Sequence, residues 1–298
     1  MTSTFQGSAS WCAGALVALA VACGEEQRAP LASAVRVDDR PAYLALGDSV
    51  PFGLNPHLVP ALPFSCYSCG SFTAAAEPAS DDVFVGYPEY LQRRLGIALA
   101  NASCPGETSA SFGARPAAAG QAAICAEFKA QDWLHVGVAP TQRRYALDYL
   151  ARHSRVELVT LTLGANDVLD LVAACGADPA CVNAGLGGVL ATVHANVRAI
   201  LSEIRSAGYR GPLVVPTYYA PSPEWTALVS AVNSYLALAA AGSGAVPVDV
   251  QALFGSDPCA AGLLIRLDPL DAGAGCDMHP SAAGARLIAT SIATAVGR

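Results

Sequence analysis

Ser49 ends the run Tyr43-Leu44-Ala45-Leu46-Gly47-Asp48-Ser49, in which an apolar segment of strand character delivers a hydroxyl into a Gly-Asp-Ser turn. Such a tripeptide is also ordinary turn chemistry, so alone it carries little. Three further segments give it company. Asn101-Ala102-Ser103-Cys104-Pro105-Gly106-Glu107-Thr108 supplies a glycine, Gly164-Ala165-Asn166-Asp167 a carboxamide, and Cys276-Asp277-Met278-His279-Pro280 an imidazole. A serine hydroxyl is a poor nucleophile until a neighbouring base takes its proton, and His279 is the base this set offers. Attack on an ester carbonyl builds negative charge on oxygen. The backbone N–H groups of Ser49 and Gly106 and the side-chain amide of Asn166 could donate to that charge, with glycine at 106 letting the backbone come close.

Groups so far apart in sequence need a rigid scaffold. Tyr43 to Leu46, Ile97 to Ala102, Val156 to Leu163, Leu213 to Thr217 and Val246 to Val250 read as strands, the third being β-branched and buried on both sides. Helical spacing marks Tyr87 to Leu99, Arg143 to His153, Val182 to Ala207, Glu224 to Ala241 and Ser281 to Val296, with Ser281 as N-cap. Strands alternating with helices imply an α/β fold, a parallel sheet of about five strands covered on both faces. In such sheets ligands bind beyond the carboxyl ends of the strands, where Ser49, Gly106 and Asn166 fall. Gly53 to Gly86, rich in Pro, Ser and Asp, reads as an elaborated loop near the first strand's end.

At 298 residues, 53% hydrophobic and 14% charged, the chain can bury a sizeable core, and its length favours one large domain. A net charge of -7 with no run of Lys or Arg argues against nucleic acid or an anionic membrane surface as the main partner. A small-molecule or lipid ester fits better, and a monomer is expected. No cofactor and no metal is indicated.

Trp11 to Ala22 is apolar but too short to span a bilayer, and it ends in Ala20-Val21-Ala22-Cys23 before Gly24-Glu25-Glu26. This reads as an export signal, residues 1–23, with a lipoprotein-type cleavage site that would leave a lipidated Cys23. Two features depart from such signals: Ala at position 20, and no Lys or Arg before Trp11. A polar linker follows over 24–41, then a domain over 42–298, and the expected location is extracytoplasmic, either secreted or anchored through Cys23. Ten cysteines agree with export. Without Cys12 and Cys23 they leave an even set, and nearest neighbours suggest Cys66 with Cys69, Cys104 with Cys125, Cys175 with Cys181, and Cys259 with Cys276. No second close Cys or His pair exists to complete a zinc site with Cys66 and Cys69.

The four segments, in this order, resemble the SGNH hydrolases, also called the GDSL esterase/lipase family. The resemblance runs from about residue 42 to 296. It implies a flavodoxin-like three-layer α/β/α sandwich and ester hydrolysis, with Ser49 as nucleophile, His279 as base, and Ser49, Gly106 and Asn166 forming the oxyanion hole. The chain departs from the family at the acid, which usually stands three residues before the histidine. That position is Cys276, and Asp277 stands two before His279. Three groups could therefore orient the imidazole: Asp277, slightly favoured; a more distant Asp268 or Asp271; or the Cys276 carbonyl in a Ser-His dyad. An α/β-hydrolase is excluded by the lack of a Gly-x-Ser-x-Gly elbow. Two other readings stand beside a carboxylic ester hydrolase: a carbohydrate O-acetyl esterase of the same fold, and a non-catalytic glycan- or lipid-binding lipoprotein.

Overall fold

The alternation of apolar residues along the central strands sorts them into two layers, and this builds the protein. A computed structural model describes residues 39–59, 84–114, 119–268, 270–271 and 275–298. Five strands, β1 (Ala42–Gly47), β2 (Ala98–Asn101), β3 (Val156–Thr162), β4 (Leu213–Pro216) and β5 (Val246–Val248), form one sheet of order β2-β1-β3-β4-β5. Every pairing is parallel. Leu44, Leu46, Val159, Leu161, Leu213 and Val215 face one layer, while Tyr43, Ala45, Leu158 and Val214 face the other. Successive side chains on a strand point to opposite faces, so a strand buried on both sides is apolar almost throughout, and the buried Thr160 and Thr162 of β3 are satisfied by the Tyr43 hydroxyl at 2.8 Å and the Tyr87 hydroxyl at 2.9 Å.

The first layer is covered by α3 (Ala122–Ala130), α4 (Gln142–Arg152), α5 (Ala165–Ala174), α6 (Pro179–Ser206) and α7 (Thr226–Ala241). The second is covered by α2 (Tyr87–Leu95), α8 (Val250–Phe254) and α9 (Ala282–Ala295). This is the three-layer α/β/α sandwich. Helix α6 is long and apolar enough to cross a membrane by length and composition, but Val193, Val197 and Leu201 on it are buried in the core. Ser281 caps α9, accepting from the Gly284 N–H at 3.3 Å.

Strand order turns around between β1 and β3, since the chain moves outward to β2 and then returns past β1. The crevice at such a switch point is where open α/β sheets bind ligands. Two shorter strands, β6 (Leu264–Arg266) and β7 (Cys276–Pro280), pair antiparallel outside the main sheet. Neither was expected from the sequence. Helices α3 and α5 were also not expected as such, and the long pattern at Tyr87 to Leu99 divides into α2 and β2 at Gly96, which is left-handed at φ 65°.

Three of the four expected disulfides are formed: Cys104 with Cys125, Cys175 with Cys181, and Cys259 with Cys276. Cys66 and Cys69, Cys23, and most of the loop between Gly53 and Gly86 lie outside the described residues.

Candidate active site

Ser49 is the first residue of the short helix α1 (Ser49–Phe52), which starts where β1 ends. Asp48 caps that helix, accepting from the Val50 N–H at 3.0 Å. Gly47 makes the turn possible. Its φ is 133°, and a Cβ there would lie 2.0 Å from the Thr162 carbonyl oxygen, so no other residue fits. At the first position of a helix the Ser49 N–H has no intrahelical acceptor and faces outward.

The imidazole reaches this serine from β7, with His279 Nε2 2.8 Å from Ser49 Oγ. On its far side His279 Nδ1 is 2.5 Å from Asp277 Oδ1, which also accepts from the His279 backbone N–H at 2.9 Å. The pattern assigns Nδ1 as the protonated nitrogen and leaves Nε2 to accept the serine proton. Burial pushes the Asp277 carboxyl up, but the imidazole beside it and the hydrogen bonds to it outweigh burial and hold it below the usual carboxylate range. The Tyr219 hydroxyl donates to the Met278 carbonyl at 2.7 Å, pinning the strand between acid and base. Asp268 and Asp271 are exposed on the connection between β6 and β7, where Asp268 accepts from the Leu270 N–H at 2.8 Å.

Gly106 follows β2 with φ 78°, and a Cβ there would sit 2.2 Å from the Gln121 carbonyl oxygen. Asn166, the second residue of α5, donates one amide hydrogen to the Glu107 carbonyl at 2.9 Å. A primary carboxamide carries a second hydrogen, and Asn166 lines the pocket beside Ser49. Beneath the serine, the buried Asp48 side chain accepts from the Tyr218 hydroxyl. Burial pushes the Asp48 carboxyl up to about 6, against the opposing pull of Tyr218, Val50 and His279.

Next to Ser49, Asn166 and His279 opens a mostly apolar pocket, with Val168, Leu169, Trp225, Leu228, Val229 and Met278 among its lining residues. It lies between the starts of α5 and α7 and the strand β7.

The profile of the GDSL-like lipase/acylhydrolase family matches residues 45–287. The chain belongs to this family. It is an ester hydrolase. The chain is similar in fold to phospholipase A1 from Streptomyces albidoflavus NA297, at 17% identity and TM-score 0.51, over 87% of this chain and 100% of that one. It is similar as well to a catalytic mutant of an acetylxylan esterase from Geobacillus stearothermophilus, at 17% identity and TM-score 0.50, over 88% and 97% of the two chains. Comparison with curated proteins finds no match.

In this GDSL-family chain the fold brings Ser49, Gly106, Asn166, Asp277 and His279 to one edge of the sheet. The apolar residues that neighbour the site residues in sequence divide in two: Val168, Leu169 and Met278 line the pocket. Phe52 and Leu54 do not. Phe52 is fully buried against Phe84, Phe128 and His135, and Leu54 packs on the same core. His135 is partly buried beside Phe52, its Nε2 being 3.0 Å from the Phe52 carbonyl. Tyr218, Tyr219 and Trp225 escaped the sequence reading. Their signal was available, since all three follow β4 at the same carboxyl edge of the sheet.

Proposed function

We propose that this hydrolase is an exported serine esterase or lipase acting on acyl esters through an acyl-serine intermediate, with Ser49, His279 and Asp277 as its catalytic residues. The observation that carries the reading is the unbroken relay from Ser49 Oγ to His279 Nε2 at 2.8 Å and from His279 Nδ1 to Asp277 Oδ1 at 2.5 Å. Ser49 Oγ attacks the ester carbonyl as its proton passes to His279 Nε2. The oxyanion is held by the N–H groups of Ser49 and Gly106 and by the amide of Asn166, each such donor being worth about 3 to 4 kcal/mol of barrier. Collapse expels the alcohol, which takes the proton back from His279. Water, deprotonated in turn by His279, then releases the acid and restores Ser49. Asp277 keeps the imidazole in the required tautomer and balances its charge.

The apolar pocket beside Ser49 favours an acyl chain over an acetyl group, because an acetyl ester would leave Trp225, Leu228 and Val229 against water. Three disulfides support an oxidising location, and with the apolar segment before Cys23 they support export over 1–23, a linker over 24–41 and a catalytic domain over 42–298. Lipid attachment at Cys23 and a monomeric state belong to the same proposal.

Labelling with a fluorophosphonate, followed by peptide mass spectrometry, tests the nucleophile. The adduct is expected on Ser49, and Ser49→Ala is expected to lower kcat on p-nitrophenyl butyrate by about 10⁴-fold or more. Retained turnover would remove the assignment. Higher activity on acetylated xylan than on any p-nitrophenyl acyl ester would turn the reading to a carbohydrate esterase.

A further inference from the structure

Gln142 begins α4, distant in sequence from every site segment, and its side chain is completely buried. Its Oε1 accepts from the Gly47 N–H at 2.9 Å, and its Nε2 donates to the Gly47 carbonyl at 2.7 Å and to Glu107 Oε2 at 2.7 Å. Only this orientation of the carboxamide works. Turned over, the NH₂ would face the Gly47 N–H and the oxygen would face two acceptors. Gln142 thus completes the hydrogen bonding of the last residue of β1, two residues before Ser49.

Glu107, also fully buried, is the second member. Its other carboxyl oxygen accepts from the Ser111 hydroxyl, and its backbone carbonyl accepts from Asn166 Nδ2 at 2.9 Å. It directly follows Gly106. One connected set of bonds therefore touches the segment before the Ser49 N–H, the residue after the Gly106 N–H, and the Asn166 amide itself. Burial raises the Glu107 carboxyl above its usual range, so placing an acid here has an energetic cost that a glutamine or leucine would avoid. A buried polar network is tolerated when every member is satisfied, and then it fixes geometry tightly.

We propose that Gln142 and Glu107 are positioning residues that set the spacing of the three oxyanion donors, so that they converge on the developing charge of the tetrahedral intermediate. The proposal rests on the reading of Ser49, Gly106 and Asn166 as that hole. Neither residue touches the substrate. Both act through backbone: Gln142 through Gly47, Glu107 through its own carbonyl and its neighbour. Misplacement of a reacting group by about 1 Å can cost about 10²-fold in rate, which sets the scale of the expected effect.

The test compares Gln142→Met, Gln142→Glu and Glu107→Leu in the full chain, with kcat counted per serine titrated by a fluorophosphonate so that unfolded molecules drop out. Gln142→Met removes all three bonds at similar volume, and Gln142→Glu turns a carboxylate toward the Gly47 carbonyl and Glu107. Both are expected to lower kcat about 10- to 100-fold with KM changed less than about threefold, and to weaken a boronic acid that forms a tetrahedral adduct on serine by a similar factor. Glu107→Leu removes the acceptor of both Gln142 and Ser111 and is expected to lower kcat per titrated serine about 10-fold or more. A purely structural role would lower the melting temperature without moving the boronate inhibition constant or the rate per titrated serine, and that result overturns the proposal. Either Gln142 variant decides the matter if the other does not fold. Wild-type rate per titrated serine and wild-type boronate inhibition in Glu107→Leu would overturn the role given to Glu107. Label found away from Ser49 would instead remove the serine reading, a different failure with a different signature.

Discussion

Asp277 and His279 share one face of a single extended strand, with Asp277 Oδ1 2.5 Å from His279 Nδ1 and 2.9 Å from the His279 backbone N–H. On an extended strand residues i and i+2 point the same way, and the buried positions of β7 are 277 and 279 while 276, 278 and 280 are partly exposed. This spacing replaces the three-residue separation usual in the family. The carboxylate is therefore aligned by the strand and by its bond to the backbone, without a loop adjustment.

Asp277→Asn is expected to reduce kcat by about 10⁴-fold, because the amide cannot hold the productive tautomer. Asp268→Asn and Asp271→Asn, on the exposed connection, are expected to stay close to wild type. Steady-state kinetics on a p-nitrophenyl ester separates them. Wild-type turnover in Asp277→Asn would leave the Cys276 carbonyl as the group behind the imidazole.

Asp48 gives the protein a pH-dependent stability term of known sign. Burial pushes its carboxyl up to about 6 in the folded protein, against about 3.9 when unfolded. The folded state therefore binds its proton more tightly. The protonated acid stabilises the fold below about pH 4, and that contribution is lost as pH rises toward 6, by an upper limit of about 3 kcal/mol. Asp48→Asn retains an oxygen for the Val50 N–H and turns an NH₂ toward the Tyr218 hydroxyl, which can accept. Urea melts from pH 4 to pH 8 should find Asn more stable than Asp above pH 6 and the two converging near pH 4. A difference that does not vary with pH would contradict the titration.

Cys259 and Cys276 close a loop across 17 positions, and Cys276 is the neighbour of Asp277. By chain entropy such a bridge contributes about 3 kcal/mol. The double variant Cys259→Ser and Cys276→Ser is expected to lower the melting temperature by several degrees and, through β7, to lower kcat. Unchanged kcat at a reduced melting temperature would show that the bridge stabilises the domain without ordering the relay.

The sheet was legible in the sequence because β3 and its neighbours are buried on both faces, and double burial writes itself as an apolar run. Ser49, Gly106 and Asn166 were legible for a related reason, since each stands just past such a run. The pair at 277 and 279 was harder to read. Strand β7 is short, alternates with partly exposed Cys276 and Met278, and owes its extended form to β6 and to Tyr219 rather than to its own propensities. Gln142 left no trace at all, because its role comes from hydrogen bonds to Gly47 across 95 residues of sequence. Helix α5 was hidden by the turn-like Gly164, whose left-handed φ of 129° belongs to the cap.

The apolar pocket should set acyl-chain preference, and Leu228 is the residue to change. It lies on α7, is partly buried and lines the pocket with Trp225 and Val229, away from Ser49, His279 and Asp277 in the chain. Leu228→Trp adds volume to the pocket that an acyl chain would fill on the proposed reading, and an acetyl group needs least of that space. Each methylene that loses its apolar contact costs about 0.8 kcal/mol, so two or three lost methylenes amount to about 10- to 100-fold in kcat/KM. The variant is expected to lose that factor on p-nitrophenyl octanoate and to keep activity on the acetate within about threefold. A chain-length series on wild type and variant reads it directly. Equal losses at every length would mean that the acyl chain leaves Ser49 by another route and that the pocket holds the alcohol side of the ester.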